Sequence, residues 1–141
     1  MPYREKIAWL SLIAMALTFT PYFIITAQQH PASETLPNFR QLGLYGAAAV
    51  ARVLILGIGW LALRAGARED ARMKPDERDR AISGNASTWG YGVLMAGMIY
   101  VGVFMPFTSN GWTIVNAALA MIVAAEVVRY GAVVVGYRRH A

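Results

Sequence analysis

Residues 112–136 read WTIVNAALAMIVAAEVVRYGAVVVG, and only Glu126 and Arg129 in this run carry charge. A helix rises about 1.5 Å per residue and the bilayer hydrocarbon is about 30 Å thick, so roughly 20 apolar residues suffice to cross it. This run is therefore a membrane span. Three more of the same character lie at about 7–27, 42–63 and 89–107. They leave little of the chain for a soluble domain.

The bulk numbers agree. The 141 residues are 57% hydrophobic and 15% charged, and mean hydropathy is +0.40. A soluble domain carries roughly 25% charge. Disorder and a nucleic-acid module are excluded on this composition, and the absence of cysteine excludes a disulfide scaffold, thiolate metal sites and cysteine nucleophiles. The net charge of +5 is explained by basic residues beside the spans, where orientation and anionic lipid account for them. The first run is full span length and lacks a small-residue exit, so it is expected to stay as a span rather than act as a signal peptide.

The pattern predicts an all-α polytopic membrane protein, a four-transmembrane-helix bundle in one membrane domain over 1–141. Arg4 and Lys6 precede span 1. Arg64, Arg68, Arg72, Lys74, Arg78 and Arg80 fill the 64–88 loop, and Arg138 and Arg139 follow span 4. These ten basic residues stand on one side against Arg40 on the other. Positive charge marks the cytoplasmic side, so both termini and the 64–88 loop are expected there. A reporter fused at Asn110 should then be external. The His30 and His140 positions fall on opposite sides, which argues against a shared zinc. Trp9, Trp60, Trp89 and Trp112 lie near span ends, as interfacial anchors do. The short connection Thr108-Ser109-Asn110-Gly111 makes spans 3 and 4 antiparallel neighbours.

Charge inside the spans is the most informative feature. Arg52 is 12 residues from Arg64, and Glu126 is 12 residues from Arg138. Both therefore lie roughly 18 Å from the same interface. Arg129 is on the same helix face as Glu126, one turn nearer that interface. A charge at the bilayer centre needs a partner or water, so Arg52, Glu126 and Arg129 are expected to face the interior as one ionic cluster. Such a cluster either pins helices together or binds an anionic ligand, a headgroup or a proton. Small residues form rows at Gly43, Ala47 and Ala51, at Gly92 and Ala96 beside Gly90, Gly97 and Gly102, and at Ala120 and Ala124. They serve packing within the chain or a homodimer. Pro21 inside span 1, among Thr18, Thr20 and Tyr22, is a kink whose freed carbonyl hydroxyls can satisfy.

In the 64–88 loop, Lys74-Pro75 stops the preceding helix and Asp76 is a good N-cap, with Glu77 and Asp79 in the first turn. The helix so begun is expected to lie along the interface before turning into span 3. Asp76, Glu77, Arg78, Asp79 and Arg80 could dock a cytoplasmic partner or an anionic headgroup. The interleaved arginines neutralise the carboxylates, so no metal is expected. The stretch Asp76-Glu77-Arg78-Asp79, followed by Ile82, Ala86, Gly90 and Tyr91, resembles a signature of small bacterial inner-membrane protein families of unknown function, which carry such a loop just before a membrane helix. The resemblance implies a bacterial inner membrane and a cytoplasmic motif, and transfers no activity.

No phosphate loop, metal helix or catalytic triad is present, so no enzyme and no cofactor is expected. Two roles remain. One is an accessory, sensor or immunity-type protein that acts on membrane lipid, on a membrane-protein partner or as a homodimer. The other is a small transporter or ligand-binding protein built on Arg52, Glu126 and Arg129.

Overall fold

The structure is a computed structural model that describes residues 2–28 and 39–139. His30 and His140, and most of the connection between spans 1 and 2, lie outside the described residues. The long helices are α1 (Tyr3–Gln28), α2 (Phe39–Gly66), α4 (Glu77–Ile99) and α5 (Gly111–Arg139), and the short α3 (Arg68–Arg72) lies between α2 and α4. Beyond Ile99 the third span widens into a π turn (Tyr100–Phe104) and tightens into a 3₁₀ turn (Met105–Phe107). Four helices are long and apolar enough to cross a membrane. All elements among the described residues are helical.

α1 packs on both α2 and α5, and α4 packs on α5. The helices thus follow the order α2, α1, α5, α4. The reason lies in α1's side chains. Ala8, Ser11, Ala14, Met15, Thr18, Phe19 and Tyr22 are all buried, so α1 is covered on two sides. Leu44 of α2 and Leu119, Val123 and Tyr130 of α5 close around Met15, Phe19 and Tyr22. Near the far end, Tyr22 Oη donates to Asn116 Oδ1 at 2.9 Å and ties α1 to α5. Pro21 is accommodated without ending α1. Thr18 Oγ1 donates to the Ala14 carbonyl at 2.8 Å and Thr26 Oγ1 to that of Tyr22 at 2.8 Å.

α4 and α5 are antiparallel neighbours, as the tight turn at Asn110 requires. Asn110 Oδ1 accepts from the Thr113 backbone N–H at 3.1 Å and from Thr113 Oγ1 at 2.6 Å, which starts α5 sharply. The small residues that bring these helices together are not the expected Gly92–Ala96 row. A Cβ on Gly92 would meet nothing within 4 Å, whereas one on Gly90 would stand 2.9 Å from Arg129 Cβ and one on Gly97 2.7 Å from Met121. The packed face of α4 is Ile82, Ala86, Gly90 and Gly97.

Two further expectations change. The segment after Asp76 does not lie along the interface as a separate helix. It forms the first turns of α4, which runs unbroken from Glu77 to Ile99. Ile82 and Ala86 are buried within it, and Ile82 lies against Gly136 of α5, so apolar packing carries the helix straight into the span. Trp9 is not an anchor with a wet N–H. Its Nε1 is buried without a hydrogen-bond partner, and the Arg138 guanidinium lies over the ring at 5.5 Å.

Candidate functional site

α1 begins, α2 and α5 finish and α4 begins at one end of the molecule, so the basic residues outside the spans gather there. Asp79 stands at the centre of this end. Asp76 caps α4: its Oδ1 accepts from the Asp79 N–H at 2.6 Å, and Asp79 Oδ2 accepts from the Asp76 N–H at 3.4 Å. This reciprocal arrangement satisfies donors that a helix start leaves free. It also aims the Asp79 carboxylate back across the bundle. There Oδ2 lies 3.1 Å from Arg4 Nε of α1, and Oδ1 accepts from Tyr137 Oη of α5 at 2.5 Å. Arg78 donates to the Tyr137 backbone carbonyl at 3.3 Å and lies over its ring at 6.0 Å. One carboxylate thus joins three helices.

A second pair reinforces the junction. Glu5 is 5% exposed, and Arg138 Nε lies 3.6 Å from its carboxylate. A buried carboxylate needs such a partner, since unpaired charge is costly away from water. Sequence reasoning singled out Asp76, Asp79 and Arg78 but missed Arg4, Glu5, Tyr137 and Arg138. A usable signal existed. Antiparallel spans bring the first turn of α1 beside the last turn of α5, and Arg4-Glu5 and Tyr137-Arg138 are complementary there.

Two cavities adjoin the junction. One, of about 310 Å³, is lined by Tyr3, Arg4, Lys74, Asp70, Asp76 and Arg78 among others. The other, of about 190 Å³, runs from Arg4 and Asp79 past Ile82 and Ser83 to Arg129 and Tyr130. Both mix opposite charges, so they suit a zwitterionic or dipolar group better than a bare ion.

Of the three intramembrane charges, two come together. Glu126 Oε1 lies 3.7 Å from Arg129 Nη1, and both side chains are partly exposed. Arg52 does not join them by an ion pair among the described residues. Its guanidinium lies over the Phe19 ring at 5.8 Å, and its Nε is buried without a hydrogen-bond partner. The cause is the helix order: α1 stands between α2 and α5, so residues at equal depth need not meet. Glu77 and Arg80 of the docking segment are exposed.

No curated protein matches the chain, and no solved structure does. Residues 40–141, which take in nearly all of α2, Asp79 with its α5 partner Tyr137, and both intramembrane arginines, match a family model. The chain belongs to the family described as "Predicted membrane protein (DUF2178)".

Proposed function

We propose that this is a small, non-catalytic accessory, sensor or immunity-type protein of a bacterial inner membrane. It acts by packing against another membrane protein, a second copy or lipid. The observation that carries this reading is Arg52, a charge at membrane depth on a helix held from one side. Its counter-anion is not supplied by the described residues, and a charge at membrane depth needs a partner or water. Outside α1, α2 presents Gly43, Gly46, Val50, Val53 and Gly57, spaced alternately by three and four. A Cβ on any of those glycines would meet nothing within 4 Å, so a partner backbone can approach closely.

The test uses the absence of cysteine. Val53→Cys and Ile58→Cys, each labelled with a benzophenone in native membranes, sample two sides of α2. Protein adducts are expected at Val53 and not at Ile58. An adduct of twice the chain's mass is a homodimer, and a heavier or lighter one is a distinct partner. Adducts to lipid alone at both positions would overturn the reading.

The ten-to-one division of basic residues across the bundle supports cytoplasmic termini. A phosphatase reporter inserted at Asn110 is expected to be active, and one fused after Arg139 inactive. The reverse pattern would invert the topology. A second reading, a ligand-binding or transport protein, has one observation in its favour, the cavity from Asp79 to Arg129.

A further inference from the structure

We propose that Arg64, Arg68 and Arg72 form a binding site for a phosphate-bearing anion where α2 leaves the membrane. The three arginines line one pocket of about 270 Å³, floored by Leu61 and Ala65. Arg64 stands in the last turn of α2, and Arg68 and Arg72, four apart, share one face of α3. The backbone turns between α2 and α3 at Ala67, whose φ of −136° and ψ of 53° lie outside the helical region, and all three side chains nonetheless line the same pocket.

The pocket differs from the rest of this end. Arg4 pairs with Asp79, Arg138 with Glu5, and Arg78 with the Tyr137 carbonyl. No carboxylate lines the Arg64–Arg72 pocket, and among the described residues none of its three arginines takes part in an ion pair. Glu69 and Asp70 are adjacent in the chain but do not line it. Three like charges around one pocket repel one another. An anion bound between them turns that repulsion into attraction, and the guanidinium fork suits phosphate oxygens. The Arg64 guanidinium lies over the Trp60 ring at 4.9 Å, which holds it at the span end. The apolar floor suits the start of a lipid's acyl chains, and the charged rim suits its phosphate. A lipid headgroup and a free phosphate share this chemistry.

The test uses the full chain purified in detergent. Native mass spectrometry reads binding of phosphatidylglycerol against phosphatidylcholine, and calorimetry reads inorganic phosphate. Phosphatidylglycerol is expected to bind in preference. The triple variant Arg64→Gln, Arg68→Gln, Arg72→Gln should weaken it by about 100-fold, whereas a charge-matched control, Lys6→Gln, Arg80→Gln, Arg139→Gln, should lose less than about tenfold. Arg68→Gln alone, outside the spans, should cost about fivefold and guards against misfolding of the triple variant. Inorganic phosphate that competes with the lipid identifies a general phosphate site, and lipid binding without competition identifies a headgroup site. Equal losses in the two triple variants, or no binding of either probe, would overturn the proposal. It does not depend on the outward face of α2, so the cross-linking result leaves it standing or falling by itself.

Discussion

Gly90→Leu is expected to separate α4 from α5 and to destabilise the protein by about 3 kcal/mol, the upper part of the range for overpacked interiors. At Gly90 even a Cβ would stand 2.9 Å from Arg129 Cβ and 3.2 Å from the Ala125 carbonyl oxygen. Both atoms belong to, or branch directly from, the backbone of α5, so neither can swing aside. The contrast with Gly97 sharpens the expectation. There the two 2.7 Å contacts are Cγ and Sδ of Met121, which can turn aside, and one fixed atom remains, Met121 Cβ at 2.8 Å, against two at Gly90. Gly97→Ala should therefore cost less than Gly90→Ala. Gly92→Ala, facing open space, should be neutral. Denaturant titration of the detergent-solubilised protein, followed by helical circular dichroism, gives the order. Equal stability of the Gly90 and Gly92 variants would show that α4 and α5 do not approach as described.

Asp79→Ala is the second large effect, about 2 kcal/mol of destabilisation. Three contributions are lost together. Tyr137 Oη loses a charged acceptor, and hydrogen bonds to charged groups contribute about 1.5–3 kcal/mol. The capping box loses its return arm, worth a few tenths of a kcal/mol at 3.4 Å in an exposed position. The ion pair with Arg4 adds little, because Arg4's side chain is 41% exposed and water screens it. The ordering follows: Asp79→Ala is expected to exceed Tyr137→Phe, and Tyr137→Phe to exceed Arg4→Gln. A double-mutant cycle between Asp79 and Tyr137 should return a coupling of about 1 kcal/mol or more. Additive effects would show that the two side chains do not meet. Because Arg4, Asp79 and Tyr137 all line the cavity that reaches Arg129, the same variants should open that end of the bundle. Cysteine placed at Ser83 would then react faster with a soluble maleimide.

Much of this was legible in residue order. Four spans follow from transfer of apolar side chains, which depends on each segment alone. The start of α4 at Asp76 follows from donors that only a local side chain can satisfy. The pairing of α4 with α5 follows from a connection too short for any other course. The ionic cluster was half legible. Glu126 and Arg129 are three residues apart on one helix, so their meeting is local. Arg52 had to find its partner through space, and equal depth is not proximity when α1 stands between. The same limit hid the roles of Arg4 and Tyr137, which become neighbours of Asp79 only once three helices are aligned.

The chain's composition and periodicity thus determined that it spans the membrane four times, where the helices begin, and which end carries the positive charge. Only the tertiary structure decided that α1 is central, that Gly90 and Gly97 rather than Gly92 seat α5, and that Asp79 is a junction rather than a free docking group. The physical reason is the solvent. In water, apolarity tells a helix which face to bury; in lipid every apolar face is already satisfied, so shape and polar pairing choose the contacts, and both exist only in three dimensions.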